Sequence, residues 1–364
     1  MVYKVIGTMS GSSLDGLDIV YVHLEEVRGQ WSFDIQHAVC LPYTEAMHND
    51  LRTAHEKPVS DFLKLHTAYG RYMGEAINKF IADKGIDHKV DFIASHGHTV
   101  FHEPQNFTTC QIGDGAAIAA VTGLPVINDL RALDVALGGQ GAPIVPIGDK
   151  LLFGQHDYLL NIGGIANVTV PHNGGFVAFD VCPANQVLNA LALRVDKEMD
   201  ENGDMARHGR VLDDVLADMN EVKYYDRKPP KSLSNEQARD MLFPKLLESG
   251  HAVNDMLCTV VYHIAEQVAK AISDFPVNKE NATLLVTGGG AFNQFLIEKI
   301  EETMKPLNIS LVIPDSTVVK FKEALIMALI GTLRWREETN VLSSVTGATR
   351  DSIGGALWMG AGYN

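Results

Sequence analysis

Two stretches of this chain share one grammar. Gly7-Thr-Met-Ser-Gly-Ser-Ser-Leu-Asp-Gly16 and, much later, Leu160-Asn-Ile-Gly-Gly-Ile-Ala-Asn167 each interrupt a pair of apolar, β-branched runs. Each reads as a tight turn between two strands, where glycine lets backbone approach a ligand and Ser and Thr add hydroxyl donors. The surroundings repeat too. Residues 2–9, 17–25 and 31–41 read as a three-stranded meander, and residues 158–162, 166–171 and 175–180 read as a second. After the first trio come a helix (60–84), a strand (91–95), a helix (115–122) and a strand (125–128). After the second come helices at 186–193, 210–219, 235–247 and 253–273, a strand at 282–287, a helix at 291–304, a strand at 309–313 and a long helix at 320–336. The duplication predicts two similar α/β lobes with a cleft between them, in which the two turns hold a polyphosphate. That arrangement points to ATP chemistry. The turn-rich stretch 224–235 reads as a mobile loop near the cleft.

Composition narrows the partners. The chain of 364 residues is 46% hydrophobic and 21% charged, with a net charge of −15. An acidic surface argues against non-specific binding to nucleic acid or anionic membranes. It leaves ATP open, because Mg²⁺ and backbone N–H groups neutralise phosphate locally. Cys40, Cys110, Cys182 and Cys258 form no CxxC pair, which fits a reducing cytosol. No secretory leader is legible, and no apolar run reaches bilayer-spanning length.

Several residues have the chemistry such a site requires. The first turn is neither a Walker A loop nor GxGxxG, since it lacks the lysine and opens a hairpin. Phosphate contact falls to Ser10, Gly11, Ser12, Ser13 and their amides, with Asp15 orienting hydrated Mg²⁺; a plain tight hairpin is the alternative. Gly163 and Gly164 form the second turn, for which a hairpin or bulge requirement is the competing account. Gly288-Gly-Gly290 follows a strand and opens a helix, a place where backbone meets nucleotides. Asp180 ends a buried strand before a proline turn and reads as a general base, or else as a cap of the next helix. Cys182 lacks a basic neighbour and reads as buried. Ser95-His-Gly-His-Thr-Val-Phe-His102 has a zinc-like spacing but no further ligand nearby, so a substrate-contacting loop is the better reading. Arg131 suits a carboxylate, sugar hydroxyls or an interlobe ion pair. Glu323 begins the expected last helix, where an acid complements the dipole and remains free for a cleft role.

Taken in order, these segments resemble the anhydro-N-acetylmuramic acid kinases. The matching motifs are GTMSGSSLDGLD (7–18), ASHGHTVFHEP (94–104), QIGDGAAIA (111–119), NDLRALDVALGGQGAPIVP (128–146), LNIGGIANVT (160–169), FDVCPAN (179–185), PPKS (229–232), TGGGAFN (287–293), KEALIMALIG (322–331) and NVLSSVTGAT (340–349). The resemblance implies a fold akin to sugar kinases, actin and the 70-kDa heat-shock chaperones. It has an RNase-H-like lobe over 1–128 together with about 340–364, and a second over 129–339. It also implies ATP- and Mg²⁺-dependent opening of the 1,6-anhydro bridge of 1,6-anhydro-N-acetylmuramic acid, phosphorylation of O6, and a cytosolic homodimer.

By motif, the implied phosphate loop is Gly11, Ser12, Ser13, Leu14, Asp15, Gly16, Leu17 and Asp18. Gly163 and Gly164 form the second loop, and Gly288, Gly289 and Gly290 the adenosine side. Asp180 matches the catalytic aspartate, while His96, Thr99, Arg131, Asn185 and Glu323 would meet the sugar. The chain departs from the family's usual Phe-Asp-Thr-Gly-Pro-Gly-Asn at Val181, Cys182 and Ala184. It has His98 where glutamine is usual, and Leu-Ser-Asn-Glu replaces Thr-Gly-Arg-Glu after PPKS. A kinase for another sugar or a small carboxylate, an inactive nucleotide-binding regulator and an actin-like assembly protein are the competing readings.

Overall fold

The computed structural model describes residues 1–11, 14–172, 175–229, 231–233, 237–238, 240–241, 246 and 250–360. Two compact units emerge, Met1–Phe153 with Phe321–Asn364, and Gly154–Lys320.

The first unit is built on β1 (Val2–Ser10), β2 (Leu17–Val27), β3 (Gln30–Leu41), β4 (Phe92–Glu103), β5 (Thr108–Ile112) and β6 (Val126–Asn128). β1, β2 and β3 form an antiparallel meander, whereas β4 runs parallel to β1 and β6 parallel to β4. Alternation along β1 and β2 sends Ile6, Leu17 and Ile19 to a face covered by helix Val59–Lys84, which contributes Tyr69, Met73 and Ile77. That helix stops at Gly85, whose left-handed φ of 61° closes its last turn. The opposite face lies under helix Ser316–Trp335. Gly7 brings β1 against the backbone of Ala324, and Gly331 seats the helix on Ala94.

The second unit repeats the plan. β7 (Tyr158–Ile162), β8 (Ile165–His172) and β9 (Gly175–Pro183) form a meander, and β10 (Ala282–Thr287) and β11 (Ile309–Val312) continue parallel from β7. Its order, β11-β10-β7-β8-β9, mirrors β6-β4-β1-β2-β3 of the first sheet. This shared order is the expected RNase-H-like arrangement, present twice. Leu160, Val168, Phe179, Leu284 and Val286 face a core completed by Val260, Ile264 and Val268 of helix Val253–Ser273.

Several expectations are corrected. The first boundary falls at Phe153, not at 128, and the return at Phe321, not near 340. Packing is the reason: Gly148 lies against Ile326, buried Asp149 pairs with Lys322 at 2.7 Å, and Phe153 meets Phe33 edge-on. The strand expected over 91–95 runs on to Glu103, because pairing with the unforeseen β5 continues past Gly97. β12 (Ala356–Trp358) is also unforeseen, and it pairs with β6. The helix expected from 291 starts at Gln294, after a 3₁₀ turn, with Asn293 capping the Leu296 N–H. The helix expected from 320 starts at Ser316, where Asp315 accepts from the Thr317 and Val318 N–H groups. Its backbone leaves helical geometry at Phe321 (φ −113°, ψ 16°), so Glu323 stands where the helix resumes, not at its start. The helix expected over 235–247 falls mostly outside the described residues, as do Pro230, Ser234 and Asn235 of the expected loop. The start of that loop is anchored, with Tyr224 and Tyr225 buried in the core. Among the described residues, no helix is long and apolar enough to cross a membrane.

Candidate functional site

The hairpin pairing of β1 and β2 closes at Ser10 opposite Leu17, and Gly11 and Leu14–Gly16 are the described part of the connection between them. Ser12 and Ser13 lie outside the described residues. Leu14 takes a left-handed φ of 59° and donates its N–H to the Gly11 carbonyl at 3.3 Å. Gly16 is required by packing, since a Cβ there would meet the Leu41 carbonyl at 2.5 Å. Asp15 is exposed. Behind it, Asp18 sits opposite Cys40; burial lifts its carboxyl to about 6, against the Cys40 hydrogen bond and aided by the charges of Glu323 and Asp15. Hard oxygens that repel one another suit a divalent cation. Among the described residues no group of three His, Cys, Asp or Glu could hold a metal by itself, so a cation here needs water and phosphate to complete its shell.

Ser10 anchors the start of the turn. Its hydroxyl accepts from the Tyr43 O–H at 2.7 Å and lies 3.1 Å from His98 Nδ1, while Tyr43 also meets Tyr69 at 2.7 Å. His98, the departure from glutamine, is therefore part of a buried chain of hydroxyls. Burial lowers its pKa and keeps the ring neutral.

His96 is buried with both ring nitrogens engaged. Nδ1 donates to the Gly97 carbonyl at 3.0 Å, which leaves Nε2 to accept from Arg131 Nε at 2.8 Å. Burial and the neighbouring guanidinium push its pKa down to about 3. His96 thus holds Arg131, which also donates to the Gly141 carbonyl at 2.5 Å. Burial lowers Arg131 to about 10, and Glu323 opposes that shift. Arg131 makes no direct ion pair among the described residues. Glu323 keeps an exposed side chain although protein crowds around it; burial raises its pKa, and Arg131 and Lys322 counter the rise. Thr99 accepts from the Gln111 amide at 3.3 Å. His102 meets Thr109 instead of a metal partner.

The second unit gathers the other set. Gly163 and Gly164 follow the last β7–β8 pair, Ile162 with Ala166. Their carbonyls accept from the Asn185 and Ala184 N–H groups at 3.1 and 2.8 Å, which ties the turn to the start of helix Asn185–Ala192. The Asn185 amide donates to the Ile162 carbonyl at 3.1 Å. Gly288 has a φ of 83°, and a Cβ there would meet Asn161 Oδ1 and the Ile162 carbonyl at 2.7 Å; Gly290 packs on Ile162. A Cβ added at Gly163 or Gly164 would find its nearest neighbours only at 3.5 and 3.7 Å, an ordinary van der Waals separation. A Cβ would therefore fit at Gly163 and Gly164, whereas Gly288 and Gly290 are dictated by close packing.

Asp180 lies where β9 is bulged: Asn167 faces Asp180 and Ala166 faces Cys182, with Val181 extra between them. Its Oδ2 accepts the Leu233 N–H at 2.8 Å. Its backbone is held by the Tyr224 hydroxyl at 2.8 Å and the Lys231 carbonyl at 3.1 Å. Helix Asn185–Ala192 has no side-chain cap, so Asp180 does not serve as one. Burial raises its carboxyl above the usual range, with the Leu233 N–H pulling the other way. Cys182 is fully buried, and burial pushes its thiol up, as expected of a packing residue. The Leu233 anchor is unforeseen, because nothing in the spacing of residues 180 and 233 announces it.

Two sheets of the same RNase-H-like order, each opening on a hairpin with a Gly-rich turn, define the two-lobed fold class of the sugar kinases. The sequence profile described as anhydro-N-acetylmuramic acid kinase matches residues 3–360. Similar proteins bearing that name come from Salinibacter ruber (33% identical, covering 97% of this chain and 95% of the relative), Francisella tularensis subsp. novicida (32%; 97% and 97%) and Bacillus cereus (29%; 97% and 98%). The chain belongs to the anhydro-N-acetylmuramic acid kinase family, and it is a kinase that phosphorylates an alcohol group.

Proposed function

We propose that the protein opens the 1,6-anhydro bridge of 1,6-anhydro-N-acetylmuramic acid and phosphorylates O6 with ATP, giving N-acetylmuramic acid 6-phosphate and ADP. Such a substrate is a product of cell-wall turnover, so the reaction belongs to its recycling in the cytosol. The observation that carries the reading is Asp180: a part-buried carboxylate with one oxygen tied to the Leu233 N–H, on the strand that leads into the Ala184 and Asn185 N–H groups bonded to the glycine turn.

Asp180 takes a proton from water, and the water oxygen bonds to C1 as the C1–O6 bond breaks. The O6 electron pair bonds to the γ-phosphorus, the bond from that phosphorus to the bridging oxygen breaks, and ADP leaves. An inverting glycoside hydrolase needs a base for water and an acid for the leaving oxygen. Here phosphorus captures that oxygen, so one carboxylate suffices. Gly11 and Gly16 with the turn between them, and Gly163 with Gly164, would cradle phosphates, while Arg131, fixed by His96, and Glu323 would orient the sugar. Mg²⁺, held through water by Asp15, would neutralise phosphate charge.

Brief reaction in ¹⁸O-water with the anhydro sugar and MgATP, quenched early, should give a phosphorylated sugar labelled at C1 and not in the phosphoryl group. Asp180→Asn should lower turnover at least ~10³-fold while ATP affinity stays within about two-fold, because a base is lost with little change in volume. Label in the phosphoryl group, or an active Asp180→Asn enzyme, removes the reading.

A further inference from the structure

The five-stranded sheet carries a row of polar side chains on one face. Asn161 of β7 stands opposite Asn167 of β8, Asn167 stands opposite Asp180 of β9, and Thr287 of β10 stands beside Asn161. Residues directly paired across strands send their side chains to one face. Leu160, Ile162, Val168 and Phe179 belong to the core, so alternation puts Asn161, Asn167 and Asp180 on the other face. All three are of intermediate exposure. Asn161 lies beside the glycine turns, its amide nitrogen 3.7 Å from a Cβ position at Gly163. Asn167 is the next step toward the carboxylate. Its side-chain amide has no hydrogen-bond partner among the described residues. A half-buried amide registered against a base, at the bulge that aims that base, is a group left over for a ligand.

We propose that Asn167 positions the attacking water for Asp180, an inference that rests on the coupled hydrolysis and phosphoryl transfer proposed above. Asp180 Oδ2 is tied to the Leu233 N–H, which leaves Oδ1 for the water. Water that gives one proton to Oδ1 must still direct a lone pair at C1. An amide oxygen that accepts the second proton fixes that orientation. A neutral acceptor is required at this place, because a second carboxylate would compete for the proton and raise the pKa of the base. Among the described residues, the other ionisable groups around Asp180 are Tyr224 and Cys182, both raised by burial, and Lys231, lowered first by burial and sitting over the Tyr224 ring.

The test compares full-length Asp180→Asn, Asn167→Ala and Asn167→Asp for kcat, KM and ATP affinity between about pH 5.5 and 9. Asn167→Ala should lower kcat by about 10- to 100-fold with ATP affinity within about two-fold. Asn167→Asp, which preserves shape, should move the acid limb of kcat upward by about one pH unit or more. Wild-type kcat in Asn167→Ala, loss of ATP affinity as large as the loss of kcat, or an unshifted acid limb in Asn167→Asp overturns the assignment. In each of those cases an inactive Asp180→Asn leaves the catalytic reading standing. An active Asp180→Asn overturns both.

Discussion

At the scale of single residues, the two sets of glycines and carboxylates differ in what holds them. A Cβ at Gly163 would meet its nearest neighbour only at 3.5 Å, so Gly163→Val should leave thermal stability almost unchanged while weakening ATP binding by about ten-fold or more through crowding at the phosphates. Equilibrium binding of a fluorescent ATP analogue reads this directly, and unchanged affinity would take that turn out of the nucleotide site. Asp18 gives a prediction in pH. Its carboxyl ionises near 6 in the folded protein, against 3.8 for the ordinary group. The folded state therefore binds its proton more tightly than the unfolded chain does. This contribution favours folding below about pH 4 and is lost as pH rises toward 6 and beyond. Asp18→Asn, which cannot ionise, should be more stable than the parent at pH 7.5 and lose that advantage at pH 4. Denaturant titrations at the two pH values test this, with the parent's extra loss of stability as the signal; equal differences at both would mean that the carboxyl is not held in this way.

At the scale of elements, helix Ser316–Trp335 depends on missing side chains beneath it. A Cβ at Gly7 would run into the Ala324 carbonyl and approach Ala328 to 2.9 Å, and backbone cannot rotate aside. Gly7→Ala should therefore cost about 1–3 kcal/mol in urea unfolding, although replacing glycine by alanine inside a strand ordinarily stabilises it. A stability equal to the parent's would show that the helix does not rest on this strand. The same elements explain what was legible in the sequence. β1 to β3 and β7 to β9 are hairpins closed locally by Gly-rich turns, with alternation strong enough to read. β12 is short and has no alternation; it becomes a strand only by pairing with β6, far away in the chain. β5 is hidden because the apolar signal of β4 stops at Ser95, before the stretch that pairs with it. At the site, the glycine turns and Asp180 announce themselves by composition. The grip of His96 on Arg131 and that of the Leu233 N–H on Asp180 do not, since each joins residues whose spacing means nothing until the sheets form.

At the scale of the molecule, the two units make different demands on the chain. Gly154–Lys320 is continuous and has its own five-stranded sheet and its own core, drawn wholly from within that span. Met1–Phe153 holds the core between its sheet and helix Val59–Lys84, but the other sheet face needs the returning segment. Phe92 stacks on Trp335 at 5.0 Å, Ala94 lies under Gly331, and β6 is covered at its edge by β12. A fragment of residues 154–320 should therefore fold alone, with cooperative urea unfolding and native-like circular dichroism. A fragment of residues 1–153 should stay loosely packed, bind a hydrophobic dye and unfold without a sharp transition, because half of its sheet is bare. Joining residues 1–153 to 321–360 through a flexible linker should restore cooperativity, since helix Ser316–Trp335 from Phe321 onward and β12 return together. If 1–153 unfolds as cooperatively as the joined version, the returning segment is not what completes this unit.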